Sequence, residues 1–549
     1  MTRAPAARPL DRAASVTRLE SEPFDLLVVG GGATGLGTAV DAALRGYRTA
    51  LIEAADFAKA TSSRSTKLVH GGVRYLQSGE IGLVREALHE RTLLRSNAPH
   101  LVHDLGFVLP TFDAFATAYY AAGLTAYDLL AGRSDFGRSR ILGKSGVLAR
   151  VPNVDGQRLF GGVEYHDGQF DDARLAIALA RTAAENGAVV ANYVRAERFV
   201  YDCGRIAGVV AADLETGIEL TIRATVVVNA TGIFVDTLRA LDVPDAPPLL
   251  ALSRGTHLVF DRAVLGADWA LMIPKTDDGR VLFAIPWHDR VVVGTTDIPA
   301  ERAELDPTPA AAEIDYLLEH LNRYVHAPVG RSDIRAAFAG LRPLVNHSAV
   351  ATTAKLSREH TIETSTTGLI TVTGGKWTTY RRMAQDVVDA AGARGTLPPR
   401  PCVTAQTLLH GAGTNAEVIR LQPAADALRV YGTDAPEIDA LAAADPALAV
   451  KLDDRLPYTR AHAVYAVRAE MARTVDDVLA RRTRALFLDE AASLAAAPDV
   501  ARIIGAERGM PAEWIAAEIA GFGTIARGTE ASVASIARTW RALRRNAAE

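Results

Sequence analysis

The residues able to do chemistry in this chain stand in a few short blocks. Gly30, Gly32 and Gly35 fall in G-x-G-x-x-G spacing inside Gly30-Gly-Gly-Ala-Thr-Gly-Leu-Gly37. Such glycines make a tight turn, bring backbone N–H groups close to a pyrophosphate and present the positive end of a following helix to it. Glu53 comes eighteen residues after Gly35, where a carboxylate accepts hydrogen bonds from an adenosine ribose and disfavours a phosphorylated one. Ser62, Ser63, Ser65 and Thr66 form a hydroxyl-rich stretch, which suits donation to a phosphate or a cofactor edge and equally suits a turn. Asn229-Ala-Thr-Gly232 leaves the backbone open to a close ligand, or makes another tight turn. Gly374, Gly375, Lys376, Thr378 and Thr379 precede a helical stretch from Tyr380 and offer helix-terminal donors with a cation. No H-E-x-x-H, clustered His/Cys set, EF-hand loop or Gly-x-Ser-x-Gly occurs in the sequence, so metal catalysis has no support.

The elements that must position these blocks are legible around them. Residues 25–29 are a short apolar run ending in glycines, which predicts a buried parallel strand. Leu36, Ala39, Val40, Ala43 and Leu44 share one face of residues 34–45, and Gly46 supplies a stop, so a helix is expected there. A second strand over 49–52 completes a βαβ unit, which makes the class α/β with a Rossmann-like parallel sheet. The unit admits NAD and FAD alike. Asp171 and Asp172 can cap a helix over 174–185, with a strand over 188–194 after it. Segments 226–229, 256–260, 271–274, 281–286 and 291–295 are too closely spaced for βαβ units and predict a second, mostly antiparallel sheet carrying a substrate layer. A Gly/Pro-rich stretch near 392–401 marks a boundary, beyond which Ala, Leu and Arg recur with helical spacing. The expected organisation is a disordered tail over 1–23, interleaved nucleotide and substrate layers over 24–400, and an all-α domain over 401–549.

Bulk properties narrow the function class. A chain of 549 residues, 49% hydrophobic and 23% charged, is an ordinary globular protein of two or three domains. Lys plus Arg total 60 against 64 for Asp plus Glu, so no basic field advertises nucleic acid. Two cysteines, Cys203 and Cys402, build neither a disulfide framework nor a Cys-rich metal site, and point to a reducing cytosol. The longest uncharged runs, 26–40 and 114–127, fall short of the ~20 apolar residues of a spanning helix. The first two dozen residues lack the apolar stretch of a secretory signal.

The block Thr61-Ser-Ser-Arg-Ser-Thr-Lys-Leu-Val-His-Gly-Gly-Val-Arg-Tyr-Leu76 resembles the FAD-dependent glycerol-3-phosphate dehydrogenases, within the D-amino-acid-oxidase-like flavoproteins. The resemblance continues through Val226-Val-Val-Asn-Ala-Thr-Gly232, Val291-Val-Val-Gly-Thr-Thr-Asp297, Gly340-Leu-Arg-Pro-Leu344 and Gly374-Gly-Lys-Trp-Thr-Thr-Tyr380, roughly over 25–385. Tyr465-Ala-Val-Arg468 through Leu479-Ala-Arg-Arg-Thr-Arg484 is similar to that family's helical C-terminal region. It implies FAD as the cofactor of the Rossmann-like layer, with contacts from Gly30, Gly32, Ala33, Thr34 and Gly35 in the first turn and from Glu53. Ser62, Ser63, Thr66 and Gly71 belong to the implied set, as do Val194, Ala230 and Gly232, and Gly375, Lys376 and Thr378.

The same resemblance implies oxidation of sn-glycerol 3-phosphate to dihydroxyacetone phosphate by hydride transfer to flavin N5. Arg342 and Arg358 are singled out for the phosphate, with Arg74, Tyr75, His257 and Lys376 around the carbons and hydroxyls. Arginine suits the phosphate because its planar fork binds two oxygens at once. His257 is the first choice for the base, though a lone histidine at the start of an apolar strand is more often structural; Lys376 can serve if neighbouring cations lower its pKa. Arg74, His257 and Lys376 are thus the implied catalytic set. Residues 114–127, with Phe115, Tyr119, Tyr120 and Leu124, precede Arg133, Arg138, Arg140 and Lys144. That order suits a membrane interface as well as it suits a core helix followed by a solvated loop. The resemblance favours the membrane, implying a quinone acceptor and a peripheral site on the inner face of the cytoplasmic membrane; a homodimer is open, since the sequence specifies no oligomeric state. The rival readings are a soluble glycerol-3-phosphate oxidase producing hydrogen peroxide, an amino- or hydroxy-acid oxidase, and a non-catalytic flavin-binding module.

Overall fold

The computed structural model describes residues 10–73, 79–132, 136–346, 360–393, 397–413 and 426–528. The first sheet is built on the strand Phe24–Val29, buried throughout except at Asp25. Thr49–Ile52 lies parallel on one side and Glu219–Asn229 parallel on the other; Val189–Ala191 and Ile370–Gly374 extend the two flanks, again in parallel. Short runs with no polar face fit only a sheet covered on both sides. One cover is the helices Ala33–Leu44, Asp172–Glu185 and Tyr380–Ala393, whose Leu36, Val40, Leu179, Met383 and Val387 share a core with Leu26, Val28 and Leu51. On the opposite face Leu27, Val29, Ala50 and Ile52 pack against Phe199, Val209 and Ile222.

The second sheet has ten strands and is mostly antiparallel. Leu250–Asp261 runs between Arg290–Gly294 and Ala336–Val345, with His257 opposite Gly294 and Phe338, and Ser253 opposite Arg342. Ala270–Ile273 pairs in parallel with Val102–Thr111. Residues 226–229, expected in this sheet, belong to the first: Val226 stands opposite Leu26 and Asn229 opposite Val29. The strand that contains them is long, and its first half pairs antiparallel with Arg205–Asp213. Spacing to its sequence neighbours reports only that antiparallel half. The strand expected over 188–194 is likewise split, because Tyr193 turns the chain with φ of 56°.

The expectation of a disordered tail through residue 23 is corrected by a helix over Arg12–Ser21. The Asp11 side chain caps it at Ala14 N. Leu19 is fully buried, and Arg12 donates to the Asn192 carbonyl at 3.0 Å and pairs with Asp213 at 2.5 Å. The inward face is Arg12, Ser15 and Leu19, two polar residues of three, so it carries no hydrophobic stripe for a sequence reading to detect. Beyond residue 401 the described chain is helical, as expected. Leu479, Val500, Ile504 and Trp514 from this region form one core with Val259, Val292 and Phe338 of the second sheet.

Candidate active site

The glycine turn sits where the first strand ends and the Ala33–Leu44 helix begins. Gly30 adopts φ of +114°, and a Cβ there would lie 2.5 Å from the Ala230 carbonyl oxygen. A Cβ on Gly35 would stand 1.9 Å from the Gly30 oxygen, so strand and helix approach more closely than any side chain permits. Glu53, at the end of the second strand, accepts from Gly31 N at 2.6 Å and Ala55 N at 2.8 Å. Burial pushes its carboxyl up in pKa, and these N–H donors work against that. Gly30, Gly32, Glu53, Ser62, Val194, Ala230 and Gly232 line a cavity of about 770 Å³.

That cavity adjoins a larger one of about 1180 Å³, the two sharing Gly32, Ser62, Ala230 and Gly232. Ala33, Thr34, Thr66, Gly375, Lys376 and Thr378 line the larger space, with His257 and Arg342 contributed by the second sheet. Lys376 immediately precedes the 3-10 turn Trp377–Thr379, which runs into the Tyr380–Ala393 helix. The structure thus brings together the residues expected at both ends of an extended dinucleotide. Gly35, Ser63 and Gly71 line neither cavity. Gly35 lies under the turn, Ser63 is buried with its carbonyl turned toward Lys67, and Gly71 N donates to the Tyr127 hydroxyl at 2.7 Å. Arg74, Tyr75 and Arg358 lie outside the described residues.

His257 is buried, with Nε2 2.9 Å from Thr66 Oγ1 and its ring stacked on Phe338 at 4.8 Å. Burial, then the charges of Lys67 and Arg342, hold its pKa well below the usual imidazole range, so the ring is neutral at neutral pH. The Arg342 guanidinium donates to the Thr296 carbonyl and to Thr295 Oγ1, each at 3.1 Å, with Asp297 3.7 Å away. A Cβ on Gly255 would come within 2.4 Å of this guanidinium, so that glycine makes room for the arginine. These bonds point the fork in one direction. Sequence reasoning missed Asp172 and Lys67, whose buried pair stands at 2.7 Å behind the hydroxyl-rich loop, and Trp377, whose indole donates to the Ser62 carbonyl at 2.9 Å. A lysine and an aspartate a hundred residues apart carry no local signal of pairing.

Residues 25–381 match the family described as FAD dependent oxidoreductase, and residues 365–514 match the C-terminal domain of alpha-glycerophosphate oxidase. The chain is 39% identical over 542 residues to the probable mitochondrial glycerol-3-phosphate dehydrogenase of Caenorhabditis elegans, covering 94% of this chain and 74% of that one. To the mitochondrial glycerol-3-phosphate dehydrogenase of Mus musculus it is 38% identical, covering 91% and 72%. The chain belongs to the FAD-dependent glycerol-3-phosphate dehydrogenase family. A solved member from Bacillus halodurans, complexed with FAD, superposes with a TM-score of 0.78 at 30% identity over 95% of this chain and 98% of the other. The cofactor of this family is FAD, and the residues present fit it: Gly30 and Gly35 leave no room for a side chain, Glu53 lines the smaller cavity, and the two cavities adjoin as an extended dinucleotide requires. Replacing Gly35 by Ala forces the turn and helix apart. A strain of about 1–3 kcal/mol corresponds to FAD binding weakened roughly 5- to 150-fold. Titration of the apoprotein with FAD measures it, and unchanged affinity means the turn shifts without cost to the cradle.

Proposed function

We propose that the chain oxidises sn-glycerol 3-phosphate to dihydroxyacetone phosphate, with His257 taking the hydroxyl proton and Arg342 holding the phosphate. FAD, when bound, supplies the hydride acceptor at N5. The observation that carries this reading is that a neutral, buried imidazole and an oriented guanidinium open into one cavity from neighbouring strands. A neutral imidazole accepts a proton without first having to lose one. An always-charged fork suits a phosphate dianion and cannot act as a base. Lys376, which lines the same cavity, polarises the substrate oxygen in this scheme, and Arg74, Tyr75 and Arg358 complete the binding set. The 24–400 region carries the reaction and the 401–549 region forms the helical domain. Anaerobic mixing with glycerol 3-phosphate is expected to bleach the oxidised-flavin spectrum, whereas an amino acid leaves it unchanged. NADH production without bound flavin overturns the reading.

The second step of the proposal is that electrons leave to a quinone at the inner face of the cytoplasmic membrane. In support, the helix Ala114–Ala131 turns Phe115, Tyr119 and Leu129 to solvent at 82%, 54% and 77% exposure, with Ile141 and Phe160 exposed nearby in sequence. Arg138, Arg140 and Lys144 follow on exposed positions. Among the described residues no helix is long and apolar enough to cross a membrane, so contact would be interfacial. Leu68, Phe107, Tyr165, Met272 and Phe283 give the larger cavity an apolar wall, and the cluster they form includes Tyr120, Ala121 and Leu124 of that helix. Replacing Arg138, Arg140 and Lys144 by Ser is expected to reduce co-sedimentation with anionic liposomes at low salt, by about 1 kcal/mol per cation, while dye-linked activity persists. Unchanged co-sedimentation counts against the interface. Oxygen uptake with peroxide release in the absence of quinone favours the soluble oxidase instead.

A further inference from the structure

Arg484 lies in the helical C-terminal region, distant in sequence from every residue of the site. It is buried, and it holds the left-handed backbone conformation, φ of 65°, immediately before the short helix Ala485–Leu488. Its guanidinium donates to the Ser63 carbonyl and to Asp172 Oδ1, each at 2.9 Å, and to the Ala480 carbonyl at 2.5 Å. The other oxygen of Asp172 accepts from Ser65 N at 3.0 Å, from Ser65 Oγ at 2.7 Å and from Lys67 Nζ at 2.7 Å. Lys67 Nζ donates in turn to the Ser63 carbonyl at 2.8 Å. One buried carboxylate and two buried cations therefore grip the backbone at Ser63 and Ser65, just before Thr66, the residue whose hydroxyl meets His257 Nε2. Burial, with Arg484 opposing the pull of Asp172, brings the Lys67 amine down to about 7, so Arg484 is the permanent cation of the group.

A second path runs from the same segment to the other face of the imidazole. His257 stacks on Phe338, and Phe338 packs on Phe487 with ring centres 4.8 Å apart. Arg484 and Phe487, three residues apart, thus reach His257 from two sides. The nearby pairs of Arg481 and Arg482 with Asp56 are equally buried, but none of these three side chains lines the cavities. Arg484 does not line them either, but the loop it grips places Thr61, Ser62, Arg64, Ser65 and Thr66 in the wall of the larger cavity, where His257 stands, whereas the segment around Asp56 lines the smaller one.

We propose that Arg484 is a positioning residue for His257, and that the C-terminal helical region, through Arg484 and Phe487, sets the alignment of the base and of the hydroxyl-bearing loop. The inference rests on the reading of His257 as the base in glycerol 3-phosphate oxidation. Charge-assisted bonds to a buried carboxylate hold geometry tightly, and removing one partner leaves the others to rearrange. A displacement of about 1 Å at a reacting group costs roughly 100-fold in rate.

The test compares wild type, Arg484→Ala, Arg484→Lys and Phe487→Leu as FAD-loaded proteins. Anaerobic flavin reduction by glycerol 3-phosphate separates the limiting rate from the apparent Kd, and hydrogen exchange reads the backbone of residues 61–67 without any turnover. Arg484→Ala is expected to lower the limiting rate about 10- to 100-fold with Kd within about threefold, and to speed exchange in 61–67 while exchange in the glycine turn stays as in wild type. Arg484→Lys restores part of the rate, because its ammonium reaches Asp172 but cannot also serve Ser63 as the fork does. An unchanged limiting rate, or loss of FAD together with faster exchange throughout the nucleotide layer, overturns the positioning role. If Arg484→Ala does not fold, Phe487→Leu decides: a severalfold lower limiting rate with Kd preserved supports the proposal, and a wild-type rate overturns it. Failure of the wild type itself to bleach with glycerol 3-phosphate instead defeats the reading on which the inference rests.

Discussion

Replacing His257 by Asn is expected to lower the rate of flavin reduction by glycerol 3-phosphate by about 100- to 10,000-fold, the usual range for losing a positioned general base. Asparagine keeps a polar atom near Thr66 but has no basic nitrogen to accept the hydroxyl proton. The pH profile gives the sign. Burial and the charges of Lys67 and Arg342 hold the His257 pKa well below the usual imidazole value, so the wild-type rate stays level through neutral pH. It falls only as the pH drops through that lowered pKa, well under the ordinary ~6.5 of histidine. In His257→Asn that acid limb disappears along with the rate. A Lys376 base predicts the opposite: a lysine must lose its proton to act, so the rate rises with pH on the alkaline side and Lys376→Met is the variant that abolishes it. Retention of most of the reduction rate in His257→Asn removes this histidine from the mechanism.

Arg342→Ala is expected to retain FAD and to lose most of its preference for a phosphorylated donor. Truncating one partner of a buried charged contact costs about 2–5 kcal/mol, which is roughly 30-fold to several thousand-fold in kcat/KM for glycerol 3-phosphate. The wild-type side chain is already oriented by the Thr296 carbonyl and Thr295 Oγ1, so little of its binding energy is spent on ordering it. Glycerol never forms the contact and should be affected far less, so the ratio of the two specificity constants is the decisive quantity. Equal loss for both donors, with FAD bound normally, means that Arg342 supports the wall of the cavity and that Arg358 carries the phosphate.

The nucleotide layer and its turn are legible in the residues alone. A strand over 25–29, three glycines at fixed spacing, a helix with one apolar face and an acid at the end of the next strand are all contained within thirty residues, and local geometry follows from local residues. Phe24–Val29 and Ala33–Leu44 differ from the expected elements by a residue at the ends, and Thr49–Ile52 coincides with the expected strand. The site residues beyond that layer were legible only through resemblance. Composition cannot select Arg342 from sixty basic side chains, nor separate His257 from a structural histidine.

The remaining assignments depend on contacts between residues far apart in the chain. Arg12 belongs to an ordered helix because it pairs with Asp213, and Arg484 is held behind the 61–67 loop because it pairs with Asp172. The strand containing residues 226–229 joins the first sheet because Phe24–Val29 is there to receive it. The Ala114–Ala131 helix buries only Thr117, Leu124 and Tyr127 fully and leaves Phe115, Tyr119 and Leu129 exposed, and an uncharged run does not announce which of its faces the fold will cover. A buried charge is stabilised by its partner in space rather than by its neighbours along the chain. The Arg12–Asp213 and Arg484–Asp172 partners lie 201 and 312 residues apart in sequence and meet only once both sheets and the helical region have packed together.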